Sequence, residues 1–294
     1  MVMYSIRLKS KLRKIKNTLH ALDDKMRNIG QQSDHTHITN PLKGIMFMKR
    51  RIGLAIIIIG LCMTSFAVAG EKIKWGYSGQ GGPTNWGELD PKYSPCSEGK
   101  NQSPVNLTKM IESDLSPISI NYQAGGNEAL NNGHTIQVNY LPGSTIIVNG
   151  HEFELKQFHF HSPSENTIEG NSYPMEAHFV HADNEGNLAV IAVMFKTGKK
   201  NGELEKAWAH MPGNSGEKYT LPKSVDANLL LPHDRSYYRF NGSLTTPPCS
   251  EGVLWLVMKY YHTASKEQID KFSHTMHHPN NRPIQPVNAR VILK

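Results

Sequence analysis

HEFELKQFHFH, residues His151 to His161, reads as a β-strand, and MEAHFVHA, residues Met175 to Ala182, reads as another shortly afterwards. Side chains of a strand point to opposite faces in turn. The first run therefore puts Phe153, Leu155, Gln157, His159 and His161 on one face, and the second puts Glu176, His178 and Val180 together. Two imidazoles at i and i+2 can meet one ion. If the runs are antiparallel neighbours, His178 completes a three-histidine site, whereas His181 points to the other face. Three neutral imidazoles with one position open describe catalytic zinc; structural zinc sites are usually closed and rich in thiolate. The competing reading is a solvated pair, because twelve histidines in residues 70–294 produce some His-x-His by chance. Gln157 and Glu176, each two residues before a histidine on its own face, weigh against it. Metal-bound imidazoles usually donate their free N–H to such a group, and a purely structural strand has no need of buried Gln and Glu there.

Around these runs, turn signals recur at short intervals: Gly81-Gly82-Pro83, Gly125-Gly126, Asn132-Gly133, Pro142-Gly143 and Asn149-Gly150. Between them lie β-rich runs at Thr135 to Tyr140, Ser144 to Val148, Phe153 to His161, Ala177 to His181 and Leu188 to Phe195. This pattern predicts a mainly β, antiparallel protein, with helices over Asn201 to His210 and Lys266 to His274.

The N-terminal part is different. Met48 to Gly70 reads MKRRIGLAIIIIGLCMTSFAVAG: basic residues, an apolar run and a small-residue Ala-Val-Ala end. Residues 48–69 thus read as a signal peptide and 70–294 as the exported domain. The rival is an uncleaved anchor, since the run approaches the roughly 18 apolar residues a membrane span needs; the Thr64-Ser65 break and the Ala-Val-Ala end favour cleavage. Leu61 argues against a lipid anchor at Cys62. Residues 1–47 form an extension best explained by a true start at Met46 or Met48. Against that stands a heptad-like spacing of Leu8, Leu12, Ile15, Leu19, Leu22, Met26 and Ile29, which also fits a basic helix. Residues 1–69 hold twelve Lys+Arg and three Asp+Glu, a net of +9, so the whole-chain +7 leaves −2 for residues 70–294. The basic charge belongs to the leader and gives no support for nucleic-acid binding. No stable membrane attachment is expected after cleavage; export to the periplasm is expected, or beyond it.

Two cysteines follow the leader, Cys96 and Cys249. An oxidising compartment favours their pairing, which would contribute about 4–5 kcal/mol in the loop-entropy account; two separate buried thiols are the alternative.

The chain also resembles the alpha-class carbonic anhydrases, bacterial exported members above all. The matching strings are WGYSGQGGPTNW from Trp75, QSPVNL from Gln102, NNGH ending at His134, QFHFHSPSENT from Gln157, EAHFVH from Glu176, SLTTPPCSEGVLW from Ser243 and NNRPIQP from Asn280. They come in the family's order across about residues 73–291. The resemblance implies a single α+β domain around a large twisted, mostly antiparallel sheet of about ten strands with short surface helices. It implies Zn2+ on His159, His161 and His178, oriented by Gln157, the backbone carbonyl of Asn280, and Glu176. Thr245 would be the gatekeeper, hydrogen-bonded to Glu165. Val180, Val190, Leu244, Thr246, Val253 and Trp255 would line the carbon dioxide pocket. His134 would shuttle protons through waters ordered by Tyr77 and Gln137. A turn histidine is the plainer reading of His134 by itself. Cys96 and Cys249 match the family's disulfide, and Cys249 lies four residues after Thr245, so the bridge would steady the gatekeeper loop.

The implied activity is reversible hydration of carbon dioxide to bicarbonate by attack of zinc-held hydroxide. The alternatives are a non-catalytic zinc-binding module of the same family at the cell surface, and a zinc hydrolase of esters or peptides. Related modules typically lack a zinc histidine, and all three are present here. A small apolar wall suits carbon dioxide better than an ester or peptide. A homodimer is compatible with this reading. The chain departs from the animal pattern at Asn281, where a Trp is common, and at Asn166, where a His is.

Overall fold

Hydrogen-bonded pairing places the two histidine runs side by side. The structure, a computed structural model, describes residues 73–294; the expectations for the extension and the leader lie outside the described residues. In chain order the described strands are β1 (Asn106–Leu107), β2 (Ser119–Asn121), β3 (Gly126–Asn131), β4 (Ile136–Tyr140), β5 (Thr145–Val148), β6 (His151–His161), β7 (Thr167–Ile168), β8 (Met175–Ala182), β9 (Leu188–Thr197), β10 (Lys218–Val225), β11 (Tyr237–Ser243), β12 (Glu251–Met258) and β13 (His262–Ala264). Eleven of them form one sheet in the order β10-β3-β4-β6-β8-β9-β12-β11. Strand β5 lies beside β6 with β2 beyond it, and β13 pairs with β9. The sheet is antiparallel except where β9 meets β12 and β13, so the expected mostly antiparallel sheet is present, with one strand more than foreseen. Strands β1 and β7 form a separate parallel pair.

The four helices are short: α1 (Trp86–Leu89), α2 (Pro95–Glu98), α3 (Gly202–Ala207) and α4 (Lys266–Met276). Asn201 caps α3 by accepting from the amides of Glu203 and Leu204. Ser265 and Gln268 form a reciprocal capping box on α4. Helix α3 stops three residues before the expected His210, and α4 runs two residues past the expected His274, ending at His277 in the left-handed region (φ 62°).

The sheet separates two apolar layers. Phe158, Phe160 and Phe179 face the larger one, where Phe160 packs edge-on against Trp208 and Phe272 with centroids 5.0 and 5.9 Å apart. Val190, Val253 and Trp255 belong to the other layer, behind the histidines. One expectation needs correction. Phe153 and Leu155 do not share a face with His159 and His161; they lie in the larger core with Phe158 and Phe160. The register against β8 shifts between Leu155 and Gln157, leaving Lys156 as the extra residue. A bulge of this kind reverses the alternation, because one inserted residue turns every later side chain over.

His181, on the larger-core side of β8, is fully buried. Its Nδ1–H donates to the Ala189 carbonyl (3.1 Å), so Nε2 accepts from the Tyr122 hydroxyl (2.5 Å). Burial pushes its pKa down to about 4, against the backbone hydrogen bonds, which act to raise it. The folded state thus holds His181 neutral, while the unfolded chain protonates it near pH 6.5. Its contribution is present above pH 6.5 and is lost as pH falls towards 4, a loss of about 3 kcal/mol. Urea unfolding at pH 7 and pH 4.5 tests this: His181→Gln, which cannot titrate, is expected to lose less stability between the two pH values than the parent. Equal losses would contradict it.

Candidate metal centre

Cross-strand register puts His159 directly opposite His178, and His161 opposite Glu176. The three imidazoles each offer one ring nitrogen, and these nitrogens all lie within 4.8 Å of one another. The remaining nitrogens show which edge of each ring is free. Nδ1–H of His159 donates to Gln157 Oε1 (2.9 Å), Nδ1–H of His161 to the Asn280 carbonyl (2.7 Å), and Nε2–H of His178 to Glu176 Oε1 (3.0 Å). That leaves Nε2 of His159, Nε2 of His161 and Nδ1 of His178 as lone-pair donors. Burial holds all three pKa values below the usual histidine range, His159 and His178 by the wider margin. The imidazoles are therefore neutral, the form that binds a metal.

Two buried polar atoms test whether the site suits a cation. His161 Nε2 and Glu165 Oε2 have no hydrogen-bond partner, and they lie 3.5 Å apart. Orphaned buried groups are rare unless an ion or water belongs beside them. A neutral nitrogen trio with a carboxylate close by fits a divalent metal of the kind imidazole favours.

The groups behind the histidines are themselves anchored. Glu176 Oε2 accepts from the amides of Glu165 (2.7 Å) and Asn166 (2.8 Å), and its Oε1 also accepts from Asn166 Nδ2 (2.7 Å). Burial raises the Glu176 pKa, and these hydrogen bonds oppose the rise. Glu165 Oε1 accepts from the Arg282 amide (2.8 Å). Burial pushes its pKa up to about 8, while that amide and the Thr245 hydroxyl act to lower it. A bound dication would act in the same lowering sense.

A cavity of about 200 Å³ opens above the three rings. Val180, Val190, Leu244 and Trp255 form its apolar side, Thr245 and Thr246 lie between, and Trp75, Tyr77, Asn132, His134 and Gln137 form the polar side. Val253 is buried in the layer with Val190 and Trp255 and is not among the residues lining the cavity. His134 sits at the rim, its ring stacked on Trp75 with centroids 3.4 Å apart. Gln137 donates to Asn139 Oδ1 (2.6 Å), and the Tyr77 hydroxyl is buried without a partner. Cys96 and Cys249 are joined in a disulfide. The Cys249 amide donates to the Thr246 carbonyl (2.8 Å), and Gln102 Nε2 donates to the Cys249 carbonyl (3.0 Å), so one end of the bridge is hydrogen-bonded to the threonine loop.

Sequence reasoning missed several contributors. Asn166 was noted only as a departure, yet its Oδ1 accepts from the Val105 amide (3.0 Å) while its Nδ2 holds Glu176. Arg282, fully buried, donates to Gln102 Oε1 (2.8 Å) and to the carbonyls of Ser103 (2.7 Å) and Cys96 (2.8 Å). The string NNRPIQP contains it, and its being the one charged residue of that string is the available signal. Trp75 and Asn132 likewise stood inside quoted strings without a role.

A trio of neutral imidazoles, two buried and one half-buried, at the floor of a cavity carried on one large sheet is a candidate metal site facing room for a small substrate. The sequence profile described as Eukaryotic-type carbonic anhydrase matches residues 81–294. The carbonic anhydrase of Neisseria gonorrhoeae is 48% identical over 241 residues, 82% of this chain and 95% of its own. That of Pectobacterium carotovorum is 46% identical over 246 residues, 84% of this chain and 100% of its own. Among solved structures, the alpha-carbonic anhydrase of Thermovibrio ammonificans, in complex with the inhibitor sulfanilamide, superposes with a TM-score of 0.74 at 51% identity, covering 75% of this chain and 99% of that one. The chain belongs to the alpha, or eukaryotic-type, carbonic anhydrase family, and is an enzyme of reversible carbon dioxide hydration.

Removing the Glu176 carboxylate frees the His178 ring to turn. Glu176→Ala is expected to weaken metal binding about 10- to 100-fold, measured by competition with a chromogenic chelator. Unchanged affinity would remove Glu176 from the metal centre.

Proposed function

We propose that His159, His161 and His178 hold a zinc ion, and that the surrounding residues make the site a hydration catalyst with His134 as its proton exit. The observation that carries this reading is the hydrogen-bond pattern of the three rings: each has one nitrogen occupied by a fixed acceptor and the other turned towards a common point. When bound, zinc supplies the Lewis acidity that makes hydroxide available near neutral pH.

The chain's own groups do the rest. With the metal site filled, the Thr245 hydroxyl would donate a hydrogen bond to the Glu165 carboxylate, whose Oε1 is held by the Arg282 amide. Its oxygen lone pair would then accept a hydrogen bond from the nucleophile, which aims the nucleophile's electrons at the substrate. Val180, Val190, Leu244 and Trp255 offer an uncharged molecule an apolar face and keep ordered water off that side. Tyr77, Asn132 and Gln137 line the opposite side, where solvent can bridge inner cavity and rim. His134 takes the proton there. Burial and the nearby His278 lower its pKa, which favours rapid release once it is protonated.

Residues 48–69 are read as a cleaved leader and residues 70–294 as the mature catalytic domain, acting in the periplasm. The disulfide supports an oxidising compartment. Among the described residues no helix is long and apolar enough to cross a membrane.

Dialysis against a strong chelator is expected to abolish carbon dioxide hydration in a stopped-flow assay, with zinc restoring it in a 1:1 ratio; activity in the metal-free protein would defeat the zinc assignment. Thr245→Ala should cut kcat/KM about a hundredfold with zinc content unchanged. His134→Ala should instead lower kcat in weak buffer, spare kcat/KM, and recover on adding imidazole. A normal rate in weak buffer would exclude His134 from the proton path.

A further inference from the structure

His278 is a residue that none of the sequence motifs assigned. It lies just beyond α4, where the left-handed turn at His277 redirects the chain towards the cavity mouth. The Tyr77 ring stands between two imidazoles, its centroid 6.5 Å from that of His134 and 5.9 Å from that of His278. The two histidines interact electrostatically, since His278 is, after burial, the second cause of the lowered His134 pKa.

Three features suit His278 to handling protons. Its side chain is exposed, so it meets bulk buffer. Its Nδ1–H donates to the Pro279 carbonyl (3.0 Å), which fixes the tautomer and leaves Nε2 as a lone-pair acceptor. Its position is tied to the site: two residues on, Asn280 Nδ2 donates to the His134 carbonyl (3.1 Å) and the Asn280 carbonyl accepts from His161 (2.7 Å). The other histidines of this segment are less well placed. His274 is exposed with Nδ1 donating to the Asp270 carbonyl (2.7 Å). Neither it nor His277 makes a ring contact with Tyr77 or His134.

We infer that His278 is a second proton-relay residue, in series with His134, that receives the proton at the rim and passes it to buffer. In the transfer an N–H bond of protonated His134 breaks as solvent takes the proton. The solvent gives up another to Nε2 of His278, so the positive charge moves outward with no net consumption of protons. Buffer base then removes it. The nearby His278 lowers the His134 pKa, so His134 gives up its proton more readily at the rim. The inference rests on the reading of His134 as the proton exit.

Zinc-loaded parent, His278→Ala, His134→Ala and the double variant can be compared by stopped-flow hydration in weak and in strong buffer. His278→Ala is expected to lower kcat severalfold in weak buffer only, to leave kcat/KM unchanged, and to recover with imidazole. The double variant should be no slower than His134→Ala, because the steps are in series. By NMR, the titration midpoint of His134 should rise in His278→Ala, a neighbouring cation having been removed. A parental kcat for His278→Ala in weak buffer, a parallel fall in kcat/KM, or an unmoved His134 midpoint would each overturn the relay. A parental rate for His134→Ala would instead sink the shuttle reading, and the relay with it.

Discussion

The cross-strand pairing of His159 with His178 is the constraint on which the rest depends. Three imidazoles from two strands reach one point only if β6 and β8 keep this register, and a slip of one residue would turn the rings into the larger core. The sheet guards against such a slip by burying Phe158, Phe160 and Phe179 on its other face, where the same slip would expose three aromatic rings. Metal geometry and core packing thus enforce the same pairing. Holding three neutral imidazoles in a dry site is costly unless each N–H finds an acceptor. Gln157, Asn280 and Glu176 supply those acceptors.

Behind them the restraints converge. Asn166 and the Glu165 amide hold Glu176; the Arg282 amide holds Glu165; the Arg282 guanidinium holds Gln102 and the Cys96 carbonyl; Gln102 in turn holds the Cys249 carbonyl. The network runs from the three histidines to the disulfide through side chains that are almost all buried. Its consequence is preorganisation: the donors and acceptors around the reacting centre are in place before substrate arrives.

Alternation in the sequence revealed the ligands because the strand period survives from Gln157 to His161 without interruption. A strict two-residue period misplaced Phe153 and Leu155; the polar pair Lys156-Gln157 does interrupt the apolar alternation, but that it marks a bulge is defined by the partner strand, which one sequence does not display. Both helices lie near the positions expected for them, each opening on a residue whose side chain caps it, Asn201 and Ser265. Contacts such as Asn280 with His161 join residues 119 positions apart. Only the family likeness, not local physics, pointed to them. Asn166 and Arg282 escaped notice since their work is done through partners on three different segments.

Asn280 has a broader meaning for how this enzyme can change. One residue uses its carbonyl to orient His161, its amide nitrogen to grip the backbone of His134 and Phe160, and its side-chain oxygen to accept from the Ser162 amide. The orientation of the His161 ring and the placement of His134 are therefore mechanically joined at a single position. Natural drift or laboratory engineering aimed at either property there will drag the other with it, so independent tuning has to begin elsewhere on the rim.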